Sequence, residues 1–166
     1  EAHGGKPVMS MVGHSLIKAK IKETGAKLAG EMSGHIFFND RFFGFDDALY
    51  ATARLLEIAS NFDGPLSALL EGIPETFATP EIRKDCGESM KFKVPGVLAK
   101  QFAAEGHPVN TIDGVRANFG DGWGLVRASN TQPVLVMRVE AETAARRDEL
   151  LLKLENAVDA AIAGLQ

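Results

Sequence analysis

The chain has 166 residues, 45% of them hydrophobic and 24% charged, the balance of a globular chain folded as one domain or two small ones, and this excludes disorder as its ground state. Its 18 basic and 22 acidic residues give a formal net charge of -4, so there is no overall field for nucleic acid or anionic lipid, and any anion site must be local. The lone Cys86 excludes an intrachain disulfide, and no apolar run approaches the ~20 residues of a membrane span, so the expected compartment is the cytoplasm.

The opening E-A-H-G-G-K-P has no initiator Met and no apolar signal core; it reads as a turn inside a fold already under way, with His3 in a surface loop. After a short apolar stretch, Val8 to Val12, Ser15 suits the cap of a helix whose Leu16, Ile17 and Ile21 face inward and which Gly25 ends. Lys27 to Met32 and His35 to Phe38 read as two strands joined at Ser33-Gly34, followed by an exposed loop. Asp46 and Asp47 suit the positive end of a helix that repeats Leu49, Ala53 and Leu56 on one face through Asn61. Pro65 opens a further short helix that ends near Gly72.

Residues 73–82 carry two prolines and no amphipathic period, so they are expected to form a linker between a domain at 1–72 and a second at 83–166. Ser89 to Glu105 is helical in composition, but Pro95-Gly96 must break it into two pieces. Strands follow over 107–112, 115–119, 123–127 and 134–140, with Leu135, Met137 and Val139 on one face and His107 on the surface. Ala144 to Leu165 is an amphipathic helix whose stripe is Leu151, Leu154, Val158 and Ile162. A run of strands followed by a helix predicts a small α+β domain.

Two polar stretches could carry chemistry. Arg127 to Pro133, R-A-S-N-T-Q-P, lies between two apolar runs and offers the Arg127 guanidinium, the Ser129 and Thr131 hydroxyls and the Asn130 amide to an anion. Asn130 also tolerates the left-handed backbone that a nest of N–H groups requires, although polar turns between strands are common without any ligand. In G-E-M-S-G-H, Glu31, Ser33 and His35 fall at period two, where they could meet sugar hydroxyls or equally form the wet face of a hairpin. His14 reads either as a turn residue or as a ligand contact. Scattered histidines and the absence of an aspartate cage give no expectation of a metal site, and no serine or cysteine has a base at a recognisable spacing.

Taken together, G-H-S-L-I-K, G-E-M-S-G-H-I-F-F, G-F-D-D-A, D-G-V-R and G-W-G-L-V-R-A-S-N-T-Q-P-V-L-V-M-R resemble the α-D-phosphohexomutases, in particular the phosphomannomutase/phosphoglucomutase branch. The resemblance runs in order over nearly the whole chain. Met32 fits the hexose branch, since phosphoglucosamine mutases usually have glutamine there.

This resemblance implies a C-terminal fragment of a four-domain cytoplasmic enzyme: part of domain three, the α/β remainder of a mixed-sheet domain, then domain four. The latter is expected to be an α+β domain with an antiparallel sheet and helices on one face, TATA-binding-protein-like. It implies sugar contacts by Glu31, Ser33 and His35, His14 as an accessory group near the substrate, and a grip on the non-transferred phosphate by Arg127, Ser129, Asn130 and Thr131. The parent reaction is an isomerisation that interconverts hexose 1-phosphate and 6-phosphate of mannose or glucose through a hexose 1,6-bisphosphate. The family's phosphoserine stretch and its aspartate loop for Mg2+ are absent from this sequence, so no catalytic residue and no metal is expected here, and the chain alone is expected to lack turnover. The expected partners are the hexose phosphate and the missing N-terminal domains, with no nucleic acid or membrane. An independent phosphosugar-binding or regulatory module is the alternative.

Overall fold

A computed structural model describes residues 4–165, and the chain divides into two compact units, residues 1–73 and 74–166. His3 lies outside the described residues. No described helix is long and apolar enough to cross a membrane.

In the first unit, α1 (His14–Thr24) leads through Gly25 into an antiparallel pair, β1 (Leu28–Gly30) and β2 (Ile36–Phe38). Gly25 has φ 68° and donates its N–H to the Ile21 carbonyl, the left-handed stop that only glycine takes without strain. The core is small: Ile17, Ile21 and Phe37 are buried, with Ala26 and Ala29 packed around them. Leu16, expected inside, is exposed, because its position on α1 points away from the single hairpin that the helix covers. The apolar stretch Val8 to Val12 is irregular and exposed apart from the half-buried Ser10.

The next helix, α2 (Ala48–Ser60), starts where expected, with Asp47 accepting the Tyr50 N–H at 2.8 Å. It buries no residue: Leu49 is 86% exposed and Leu56 64%, so the predicted apolar stripe exists but finds nothing to cover it within this unit. Leu66–Leu70 is a 3-10 turn just after Pro65.

The second unit is an antiparallel sheet in the order β3 (Phe77–Ala78), β8 (Val134–Ala141), β7 (Gly122–Ala128), β6 (Val115–Asn118), β5 (Val109–Asn110), with β4 (Ile82–Asp85) also on β8. Residues 73–82, expected as a linker, therefore supply β3 and the first residue of β4. Pro80 interrupts what would otherwise be one edge strand, since it cannot donate to the ladder. The buried Thr79 bridges the gap: its N–H reaches the Val139 carbonyl at 2.9 Å and its Oγ1 accepts the Val139 N–H at 3.1 Å.

Two helices, α3 (Val94–Ala104) and α4 (Ala144–Ala163), close over this sheet. Pro95 sits in the first turn of α3, where a missing N–H costs nothing, and the residues before it form hydrogen-bonded turns rather than a second helix. Val94, Leu98 and Phe102 of α3 meet Leu150, Leu154, Val158 and Ala161 of α4 over Val126, Leu135, Met137 and Val139 of the sheet. Leu150 rather than Leu151 is the first fully buried residue of α4, and Ile162 only partly joins the core. The helix can lie this low because Gly122 and Gly124 carry no side chain: a Cβ at Gly122 would stand 2.7 Å from Leu150 Cδ1, and one at Gly124 3.3 Å from Leu154 Cδ2. The result is an α+β unit with both helices in one core layer. Cys86 is a buried free thiol whose pKa is raised by burial.

Candidate functional site

The first polar cluster gathers where α1, the β1–β2 turn and the entry to α2 meet. Glu31 and Ser33 lie in the turn rather than on a strand, so the expected period-two projection does not hold: the Gly34 N–H folds back to the Glu31 carbonyl at 3.0 Å, and the Glu31 N–H to the His35 carbonyl at 2.9 Å. Glu31 Oε1 accepts the Gly13 N–H at 3.0 Å, at the start of α1, while Ser33 Oγ donates to Glu31 Oε2 at 3.2 Å. The carboxylate thus ties the turn to the helix. Ser15, expected to cap α1, makes no such bond and lies within the helix; Gly13 holds the cap position.

That tie brings His14, the first residue of α1, against His35. The two rings meet edge to face at 4.5 Å, and His14 also lies edge-on to Phe37 at 5.5 Å. Between the imidazoles stands Asp46, with Oδ2 2.7 Å from His35 Nδ1 and 3.8 Å from His14 Nε2, and with Oδ1 accepting the Ile36 N–H at 3.1 Å. The hydrogen bond from His35 holds the Asp46 carboxyl below the usual carboxylate range against the opposing effect of burial. Only Asp47 of the adjacent pair caps α2. Asp46 is the neighbour of this cluster that sequence reasoning missed, because an acidic pair before a helix has a sufficient local explanation.

The second cluster is the β7–β8 turn. Ser129 N–H to the Val134 carbonyl, 3.0 Å, closes the hairpin, and the buried Ser129 Oγ accepts from the N–H groups of Thr131 at 3.3 Å and Gln132 at 3.1 Å. No described non-glycine residue has positive φ, so the turn is shaped by this hydroxyl and not by a left-handed Asn130. Asn130 and Thr131 remain exposed.

Both ends of the turn are anchored. On the far side, Lys91, almost wholly buried, donates to the Gln132 carbonyl at 2.9 Å and pairs with Glu88 at 2.8 Å, while Arg83 reaches the Gln132 side-chain carbonyl. On the near side, Arg127 Nε lies 3.5 Å from Asp113 Oδ1. Gly114 allows that approach: its φ is +76°, and a Cβ there would fall 2.3 Å from the Val126 carbonyl oxygen. Lys91 carries no sequence signal, since it meets Gln132 across 41 positions.

Among the described residues, His14, His35 and Asp46 form the one group of three side chains able to hold a metal ion. With a single carboxylate it does not suit Mg2+, which takes oxygen ligands in octahedral geometry.

Comparison with known proteins matches residues 1–77 to the family model of phosphoglucomutase/phosphomannomutase, alpha/beta/alpha domain III, and residues 81–157 to that of the phosphoglucomutase/phosphomannomutase C-terminal domain. A phosphomannomutase/phosphoglucomutase of Pseudomonas syringae pv. tomato is 52% identical over 89% of this chain and 32% of its own length. A phosphoglucomutase of Neisseria meningitidis serogroup A is 53% identical over 86% of the chain and 31% of its own. A crystal structure of a phosphoglucomutase/phosphomannomutase family protein from Burkholderia thailandensis matches with TM-score 0.84 and 47% identity, over 96% of this chain and 34% of that one. The chain spans about a third of the length of the relatives it matches.

Proposed function

Since the chain belongs to the phosphoglucomutase/phosphomannomutase family, we propose that it is the substrate-binding C-terminal portion of a phosphohexomutase, an isomerase acting on mannose or glucose phosphates. In this reading the second unit holds the non-transferred phosphate with Arg127, Ser129, Asn130 and Thr131, and the first unit offers Glu31, Ser33 and His35 to sugar hydroxyls, with His14 as an accessory group. The observation that carries the reading is the β7–β8 turn, whose donors stand on a hairpin fixed by Ser129, Lys91 and Asp113 before any ligand arrives. Preorganised donors bind an anion without first losing loop entropy.

The roles are not equal within each set. Ser129 Oγ already accepts two N–H groups, so it shapes the loop and has its hydroxyl hydrogen left to donate, while the exposed Asn130 and Thr131 are open to a ligand. Glu31 is likewise held by Gly13 and Ser33, leaving lone pairs for sugar hydroxyls. Asp46, by accepting at His35 Nδ1, favours the tautomer that presents Nε2 outward.

Turnover belongs, in this proposal, to a full-length enzyme. Its Mg2+, which supplies charge neutralisation during phosphoryl transfer, is bound outside this chain, and its hexose 1,6-bisphosphate serves as intermediate and activator. The exposed apolar face of α2, Leu49 and Leu56 above all, supports the presence of further domains that cover it.

A backbone amide NMR titration tests the binding roles. Glucose 1-phosphate and inorganic phosphate are both expected to shift signals at 127–131; only the sugar phosphate should shift those at 31–35. Dispersed spectra with no response would overturn the binding reading. Turnover of glucose 1-phosphate by this chain with the bisphosphate present would overturn the assignment of catalysis to other segments.

A further inference from the structure

We propose that His14, His35 and Asp46 form a chelating site for a borderline divalent transition ion, for which zinc is the natural probe. The three come from different elements: the first turn of α1, the residue before β2 and the residue before the cap of α2. Their donor atoms, imidazole nitrogens and a carboxylate oxygen, all lie within 4.8 Å of one another. A tetrahedral zinc with bonds of about 2.0–2.2 Å holds its ligand atoms about 3.3–3.6 Å apart. Asp46 Oδ2 stands 2.7 Å from His35 Nδ1 and 3.8 Å from His14 Nε2, on either side of that spacing.

Small adjustments suffice to close the chelate. The His14 side chain is 48% exposed and, among the described residues, its ring is held by edge contacts and the long approach to Asp46, so it can rotate toward the carboxylate. The Ile36 N–H on Oδ1 keeps the Asp46 carboxylate oriented while Oδ2 serves the ion, the kind of outer bond that tunes metal ligands. On binding, His35 passes from its Nδ1–H to its Nε2–H tautomer by exchange with solvent, the neutral ring keeping one proton, and His35 Nδ1 and His14 Nε2 each give a lone pair to the ion. Two imidazoles and one carboxylate favour zinc, nickel or copper over magnesium and calcium, and leave a fourth position for water or a ligand oxygen.

The site uses the imidazoles proposed to meet the sugar, so a bound ion at His35 Nδ1 would reverse the tautomer that offers Nε2 to it. The chelate itself does not rest on that assignment, and its test contains no sugar. The chain is titrated with zinc chloride, and separately with magnesium chloride, by calorimetry and by amide and imidazole NMR. One zinc per chain is expected, with shifts centred on His14, His35 and Asp46 and no comparable response to magnesium. His14→Ala, which leaves the Gly13–Glu31 cap in place, and Asp46→Asn should each weaken zinc binding about tenfold or more. His107, beside Glu105 and Lys153 in the second unit, is the internal control. Zinc affinity unchanged in His14→Ala with a dispersed spectrum, shifts centred on His107, or an equal response to magnesium would overturn the proposal.

Discussion

At Arg127 and Ser129 the same loop uses two side chains for different work. Arg127 sits 3.5 Å from Asp113, which aims a planar fork that a lysine cannot reproduce. Arg127→Lys should keep the charge and lose the paired geometry, weakening phosphate binding by about tenfold, roughly 1.4 kcal/mol, while stability is retained. The phosphate titration measures the first and a urea melt the second. Ser129→Ala acts in the opposite order. It removes the acceptor for two backbone N–H groups and should cost about 1 kcal/mol in the second unit's urea transition, with a loosened turn as its visible consequence. A stability unchanged in Ser129→Ala would mean that water replaces the hydroxyl, and that the main-chain bond from Ser129 to Val134, with Lys91 and Arg83, is enough to hold the turn.

The edge beside β8 works as an element because Thr79 spans the break at Pro80. Its side chain and main chain both bond Val139, in the C-terminal half of the longest strand. Thr79→Val, nearly equal in volume, keeps the methyl packing and leaves the Val139 N–H unpaired. The expected cost is about 1–3 kcal/mol, with early amide exchange at Val139. Exchange at Val139 as slow as in the parent chain would show that the edge holds without the hydroxyl. The helix α2 illustrates the reverse situation: good capping by Asp47 and a continuous apolar face, but no burial to stabilise it.

Over the whole molecule, apolar burial is distributed unevenly. The second unit joins two helices and its sheet through one contiguous core, whereas the first has Ile17, Ile21 and Phe37 as its fully buried cluster. Rising urea should therefore release amide protection in the first unit well before the second, in two separated transitions seen by hydrogen exchange; a single coincident transition would contradict this. The sequence alone determined the type of the longer elements, since periods of two and of three to four, Gly25 and the Asp46-Asp47 pair act within a few residues of themselves, but not the strand β3 inside the expected linker or the place of Pro95 in the first turn of α3. It also carried the family, through G-E-M-S-G-H and R-A-S-N-T-Q-P standing in order along one chain. Only the tertiary structure decided which apolar face is covered, as the bare Leu49 and the buried Leu150 attest, because burial depends on what packs opposite and not on periodicity. It alone set Asp46 between His14 and His35, and Lys91 beneath Gln132: those meetings are made by chain folding across long separations, where no local spacing records them.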